Sequence, residues 1–511
     1  MSAMKSEFYT EVICLAAADN VCVALHPLAC GAEISVAGAS IRLADPIPAG
    51  HKIALRDILP GEQVIKYGYP IGHATAFIPQ GAHVHTHNIA TNLGEILSYD
   101  YAPVPCTLAP QPCRETFWGY VRSNGDVGIR NELWIVPTVG CVDAIGNRIM
   151  ETFLARMTGD PSPTQLPPGL DDVKVLTHPY GCGQEGYDSE NTQNALAMAV
   201  KHPNAGAVLV LGLGCEDNRI EEFKKVLGPY DSRRVRFLET QQVEDEISEG
   251  ADLLEELYAA VRADKRTEVP LSMLRVGMEC GGSDGFSGLT GNPLLGAFSD
   301  FLVSRGGSTV MTEVAEMFGA ETILMNRAVN RTVYEKVVAL INDYKQYCFD
   351  NHASISGNPS LGNLDGGIST LEDKALGCTQ KGGTAPVVDV LEYAHPLLRP
   401  GFQLLCAPGS DTAGTTALGL CCQMVIFTTG RGTPYGGFIP TVKVATNSEM
   451  YRRKKNWNDF DAGRLVDGVP MASMLEEFVA LIRDVASGRR LTKAEKNGFK
   501  EFVIWKNGIS E

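Results

Sequence analysis

Short, largely apolar runs that open into glycine-rich polar segments recur along most of this chain. Val173-Lys174-Val175-Leu176 leads into Thr177-His178-Pro179-Tyr180-Gly181-Cys182-Gly183-Gln184, and Ala207-Val208-Leu209-Val210-Leu211 into Gly212-Leu213-Gly214-Cys215-Glu216. Leu274-Arg275-Val276-Gly277-Met278 leads into Glu279-Cys280-Gly281-Gly282-Ser283-Asp284, and Leu404-Leu405-Cys406 into Ala407-Pro408-Gly409-Ser410-Asp411. A fifth run, Met424 to Phe427, opens into Thr428-Thr429-Gly430-Arg431-Gly432-Thr433-Pro434-Tyr435-Gly436. Short apolar strands alternating with helical stretches predict an α/β fold with largely parallel sheets, in which ligands gather at the carboxyl ends of the strands. Helices are expected at 143–157, 189–202 and 241–263, with amphipathic ones near 471–486 and 492–502.

The first hundred residues follow a different pattern. Val21-Cys22-Val23-Ala24-Leu25, Glu33-Ile34-Ser35-Val36 and Lys52-Ile53-Ala54-Leu55 are strand-like and separated by Gly, Pro and Asp turn signals. Four prolines between Tyr101 and Pro112 then make a stiff linker. The expected organisation is a β-rich module over 1–100, a Pro-rich linker over 101–116, an α/β domain over 117–265 and a C-terminal α/β domain over 266–511. The charged break from Arg262 to Glu268 separates the last two.

Composition narrows the function. The chain has 511 residues, 44% hydrophobic and 20% charged, as expected of a soluble globular protein. A net charge of −16 argues against nucleic-acid binding, which needs a basic face, and requires local cations or a metal for any anionic substrate. No apolar stretch approaches the roughly 20 residues that cross a bilayer. The start, Met1 to Glu7, has no secretory core, so a cytoplasmic location is expected. The fourteen cysteines form no dense framework and read as reduced thiols.

The candidate chemistry sits in the polar segments. In the loop after Phe427, glycine lets backbone approach a ligand, two threonine hydroxyls are at hand, and Arg431 can fork onto a carboxylate. Segment 279–293 packs Ser283, Asp284, Thr290 and Asn292 between glycines, a density suited to a polyhydroxylated ligand. With Thr428, Thr429, Gly430 and Thr433 these are the expected substrate contacts. Thr312, Glu313 and Glu316 add acceptors, although Glu316 and Glu321 also fit solvated helix positions. In the first module, His83, His85 and His87 recur at every second residue, which on a strand puts three imidazoles on one face as a metal or acid/base cluster. Cys141, Cys182, Cys215 and Cys280 all follow apolar runs, and their convergence would permit a metal–thiolate or iron–sulfur site. With no CxxC spacing, a divalent ion on nitrogen and oxygen ligands is favoured.

In order along nearly the whole chain, several motifs resemble those of the altronate/galactarate dehydratases. They are His83-Val84-His85-Thr86-His87-Asn88, Gly119-Tyr120-Val121-Arg122 with Gly128-Ile129-Arg130-Asn131, Tyr180-Gly181-Cys182-Gly183, Gly212 to Glu216, Cys280 to Asp284, Glu372-Asp373-Lys374-Ala375-Leu376-Gly377 and Phe427 to Gly436. Lys66-Tyr67-Gly68-Tyr69-Pro70-Ile71-Gly72 and the histidine run are closer to the altronate branch than to the galactarate branch. Ala82 departs from the family pattern, which has an acidic residue before His83.

The resemblance implies an SAF-like first domain and a hydro-lyase that converts D-altronate to 2-dehydro-3-deoxy-D-gluconate. A divalent metal, Fe²⁺ or Mn²⁺, would assist removal of the C2 proton and the C3 hydroxyl. His83, His85 and His87 are the expected ligands, with Cys182, Cys215 and Cys280 the alternative set, which would suit an iron–sulfur cluster. His85, His87 and His178 are the candidates for proton transfer, and Arg431 for holding the substrate carboxylate. The expected partner is a small sugar acid, with a homo-oligomer allowed. The competing readings are a galactarate dehydratase, a lyase releasing sulfite from sulfolactate, and a non-catalytic sugar-acid-binding protein.

Overall fold

The computed structural model describes residues 7–8, 11–162, 165–355 and 357–508. Met1 to Ser6, part of the leader-free start expected above, lie outside them, as do the outermost residues of the first and last expected domains.

The first module is β-rich as expected. Its main sheet orders Glu7–Phe8, Val12–Cys14, Val21–Ala24, Lys52–Ala54 and His83–Val84, all antiparallel. A three-stranded sheet of Gln63–Lys66, Tyr69–Ala74 and Ile89–Ala90 packs against it. The core of this module is shared: Ile13, Val23, Val64, Ile71 and Val84 meet Leu289, Ala320, Ile323 and Leu376 of the C-terminal region in one apolar cluster. Burying such side chains contributes about 1.5–3 kcal/mol each and holds the module against the region after residue 271.

Apart from an antiparallel sheet of Val127–Gly128, Thr116–Val121 and Thr267–Pro270, the rest is α/β with parallel sheets. The middle region carries a four-stranded sheet in the order Asp172–Val175, Glu132–Pro137, Ala205–Gly212 and Val235–Glu239, every pair parallel. The C-terminal region carries seven parallel strands: Val387–Leu391, Gly401–Leu405, Ser308–Met311, Arg275–Cys280, Met424–Thr429, Thr441–Ala445 and Phe460–Asp461. From Arg275–Cys280 the chain builds outward in one direction and then returns to lay Met424–Thr429 on the other side. Two crossovers leave in opposite directions there, opening a crevice beyond Cys280 and Thr429.

Helices form at Asp143–Thr158, Tyr187–Val200, Glu246–Val261 and Met471–Ala486, close to their expected spans. The helix expected at 492–502 is cut to Lys493–Lys496, because Gly498 turns into the left-handed region (φ 73°) and stops it. Between 100 and 115 the proline-rich segment has no regular structure, and Val104 N and Gln111 N donate to Asn326 O and Ser304 O along its path.

Candidate functional site

The polar loops beyond Cys280 and Thr429 meet the first module at one seam. Gly50 packs directly on Gly285, Gly366 and Gly367, and a Cβ at Gly285 would overlap the Gly50 backbone. The seam therefore depends on the absence of side chains on both sides. The helix Leu371–Cys378 is fastened to it by Thr370, whose hydroxyl donates to Ile71 O (2.5 Å) and accepts from Asp373 N (3.2 Å). This helix is wholly buried and carries Asp373, Lys374 and Cys378 toward the seam.

A histidine cluster sits on the module's side of the seam, with a membership that corrects the expectation. The strand His83–Val84 ends before His85, and residues 85–88 form a turn tied by Asn88, which donates to His83 O and accepts from His85 N (both 2.9 Å). His87 leaves the face and is exposed, its ring 5.4 Å from that of His83. The third member is His51, just ahead of the strand paired with His83–Val84. Its Nδ1 lies 3.0 Å from His83 Nε2, and its Nε2 is 3.3 Å from Asp365 O. One ring nitrogen from each of His51, His83 and His85 falls within 4.8 Å of the others. Burial, followed by the charge of neighbours, pushes His83 down to about 4 and His85 to about 3, so both are neutral near pH 7. His85 Nδ1 is buried without a partner. Neutral imidazoles with a free buried nitrogen are what a divalent transition metal requires, so these residues fit one. Ala82 is buried beside them.

Next to the histidines, Asp373 bridges two buried ammoniums, Lys52 at 2.8 Å and Lys66 at 2.9 Å. Burial works against the aspartate charge, but the two lysines outweigh it and hold its carboxyl well below the usual range. Burial brings Lys52 down to about 8. Lys52 and Lys66 together carry one more charge than the aspartate they share.

On the far side, a cavity of about 410 Å³ is lined by His26, Asp284, Asp365, Gly430, Arg431 and Asn447, among others. Arg431 is exposed in it, with its backbone N donating to Gly282 O (2.8 Å). Asp365 ties this cavity to His51.

The other expected substrate contacts divide sharply. Asp284 is buried and saturated, accepting from Thr446 Oγ1, Asn447 Nδ2 and Ser287 Oγ at 2.9, 2.9 and 3.1 Å. Gly430 must be glycine, because a Cβ there would overlap the Asp284 carboxylate. Thr290 donates to Thr446 O (2.6 Å), Thr428 donates to Asn292 Oδ1 (2.7 Å), and Thr429 accepts from Gly432 N (3.0 Å). Thr433 O takes the Lys443 ammonium at 2.9 Å. The hydroxyls of Thr290, Thr428 and Thr429 brace the loops. Ser283 Oγ is the exception, buried with no partner.

His178 is not brought to the seam. It lies buried in the middle region, with Nε2 on Pro137 O (2.9 Å) and Nδ1 accepting from Tyr180 N (3.2 Å), so both ring nitrogens are engaged. The cysteines also separate. Cys141, Cys182 and Cys215 are exposed on loops of the middle sheet, whereas Cys280 is buried in the C-terminal one. Cys280 Sγ lies 3.3 Å from Cys378 Sγ and 2.9 Å from Lys381 Nζ, and Cys378 donates to Glu316 at 3.0 Å. Cys280, Glu316 and Cys378 could gather on an ion, but Lys374 on Glu316 (2.6 Å) and Lys381 on Glu313 (2.5 Å) already supply the positive charge there. Glu316 and Glu321 are buried in ion pairs, not solvated. Glu279, at the end of its strand, is buried with both oxygens unpartnered, and burial followed by Glu313 raises its pKa well above the usual range.

Sequence reasoning missed His51 and gave no role to Lys52, Lys66, Asp373, Lys374, Lys381 or Cys378. Lys66, Asp373 and Lys374 lay inside quoted motifs, and an unusual run of buried charge is the only signal that could have raised them.

A seam shared by an SAF-like β module and a parallel α/β region brings a neutral histidine cluster beside two buried lysines on one aspartate. Comparison with known proteins agrees. Residues 10–92 match the altronate/galactarate dehydratase SAF domain, 119–262 the D-galactarate dehydratase/altronate hydrolase second domain, and 271–510 the D-galactarate/altronate dehydratase C-terminal domain. The altronate dehydratase of Bacillus subtilis is 52% identical over 96% of this chain and 98% of its own length, and that of Escherichia coli 51% over 98% and 100%. The galactarate dehydratase (L-threo-forming) of Escherichia coli is 33% identical over 90% of this chain and 89% of its own. The chain belongs to the altronate/galactarate dehydratase family and is a hydro-lyase. Among the described residues, no helix is long and apolar enough to cross a membrane.

Proposed function

We propose that this hydro-lyase dehydrates D-altronate to 2-dehydro-3-deoxy-D-gluconate at the seam between the SAF module and the C-terminal region. Identity above 50% to two altronate dehydratases over almost the full chain carries the substrate assignment. His51, His83 and His85 would hold the divalent metal, Fe²⁺ or Mn²⁺. When bound, such an ion acts as a Lewis acid toward carboxylate and hydroxyl oxygens.

The chain's own residues do the rest. Arg431, at the cavity wall, holds the substrate carboxylate through a charge-assisted bond. The excess charge of Lys52 and Lys66 over Asp373 favours the anionic, electron-rich form that follows loss of the C2 proton. His87, the exposed imidazole beside His83, takes that proton. His87 hands that proton to the departing C3 hydroxyl, which leaves as water, and the enol tautomerises to the 2-keto acid. Backbone contacts through Gly50 and Gly285 close the seam on the module side and exclude water.

Incubating the metal-loaded protein with D-altronate, D-galactarate and sulfolactate tests this reading. Rapid 2-keto-3-deoxy acid release from D-altronate supports it. Preference for galactarate, sulfite release, or binding without turnover replaces it with one of the three alternatives.

A further inference from the structure

The middle region carries a second crevice. Its sheet begins with Glu132–Pro137, places Asp172–Val175 on one side and Ala205–Gly212 on the other, and so has its own switch point at the carboxyl ends. Three loops fill that end, each with one exposed cysteine: Cys141, Cys182 and Cys215. Hydrogen bonds stitch the loops together. Gly140 N donates to Tyr180 O (2.9 Å), Asn218 N to Gly181 O (3.2 Å), and Gly183 N to Asp217 Oδ2 (2.9 Å). Glu216, buried, accepts from Thr138 Oγ1 at 2.7 Å and Gly214 N at 2.6 Å.

Cysteine used for packing is buried, whereas these three thiols face solvent from one rim. Two amides under the rim keep unsatisfied atoms. Gln184, 9% exposed, accepts from Gly181 N through Oε1 and leaves Nε2 unpartnered. Asn218, 2% exposed, donates to Thr138 O through Nδ2 and leaves Oδ1 unpartnered. Both are fixed beneath the turns that carry the thiols, and buried polar atoms left this way call for a ligand.

Spacing selects the ligand. Among the described residues, three His, Cys, Asp or Glu ligand atoms close to within 4.8 Å only at His51, His83 and His85 and at Cys280, Glu316 and Cys378. The three rim thiols form no such group. A single tetrahedral ion with metal–sulfur bonds of about 2.3 Å needs its sulfurs only about 3.8 Å apart. A cubane cluster attaches each cysteine to a different iron and spreads them. We propose that Cys141, Cys182 and Cys215 hold an iron–sulfur cluster through three thiolates, leaving its fourth iron without a cysteine. Gln241 Nε2, which donates to Cys215 Sγ at 3.4 Å, then tunes that sulfur.

The test is anaerobic reconstitution of the full chain with ferrous and ferric iron and sulfide, followed by iron and labile-sulfide assays and visible absorption. Wild type is expected to take up about four irons and four sulfides per chain. Cys141→Ser, Cys182→Ser and Cys215→Ser should each lose at least about tenfold of the sulfide and the charge-transfer band, consistent with losing a required thiolate. Cys106→Ser, an exposed control thiol, and His83→Ala should retain both. The three positions are exposed, so the serine variants keep the fold, and circular dichroism verifies it. Wild type that takes up no sulfide, rim variants that retain it, or a Cys106→Ser variant that loses it equally overturns the proposal.

Discussion

His51 Nδ1 and His83 Nε2 lie 3.0 Å apart across the antiparallel pair formed by Lys52–Ala54 and His83–Val84. That contact replaces the expected His83, His85, His87 set with His51, His83 and His85. His51→Ala should therefore lower divalent-metal affinity by more than about 100-fold, beyond the 10- to 100-fold typical of residues that only orient a ligand. His87→Ala should leave metal content unchanged while lowering turnover. Metal analysis after gel filtration checks both, and equal metal loss in the two variants contradicts the assignment.

Arg431 is an exposed cation at the wall of a cavity that Arg452 and Arg453 also line. Arg431→Ala should lower kcat/KM for D-altronate by about 10- to 100-fold, the worth of one hydrogen bond to a charged group. Arg431→Lys should recover part of the loss, because the charge remains and the fork does not. Steady-state kinetics measure it, and unchanged kinetics would remove Arg431 from the site.

Asp373 is the common anion of two buried lysines. Asp373→Asn strands both and should cost about 3–5 kcal/mol of stability, seen as a lowered midpoint in urea. Because the folded state holds this carboxyl below its unfolded value, its contribution is fully present above the unfolded pKa and is lost as pH falls toward the folded one. The difference between wild type and Asp373→Asn should therefore be constant near pH 7 and shrink in acid.

Lys443 supports the Thr433 loop and lies 4.2 Å over the Phe427 ring. Burial pushes it down to about 7 from 10.5. Between those two values the unfolded chain holds a proton the folded chain has released, so stability rises with pH across that window and the penalty is complete below about 7. Lys443→Met should thus raise the thermal midpoint at pH 6.5 relative to wild type, and the gain should fall by pH 9.5. A pH-independent difference would show that the amine is not neutralised on folding.

Much of the architecture was legible because apolar runs and glycine-rich exits are local signals. The strands at 275, 401 and 424, and the loops beyond Cys280 and Phe427, follow from them. The site was less legible because its chemistry depends on pairings distant in sequence. His51 precedes an ordinary short strand, and only the register with His83 brings it into the cluster. Glu316 is indistinguishable in sequence from a solvated helix residue until Lys374 meets it at 2.6 Å. Thr428 and Thr429 of the Phe427 loop looked like substrate donors, and the fold spends them on Asn292 and Gly432 instead.

Metal-assisted dehydration is the reaction proposed for the seam. The most direct measurement is 2-keto-3-deoxy acid formation from D-altronate while Fe²⁺ or Mn²⁺ is titrated into chelator-treated protein, wild type beside His51→Ala. Activity should rise to a plateau near one ion per chain in wild type and stay at background in the variant. Full activity in the metal-free protein, or an identical titration in His51→Ala, would contradict it.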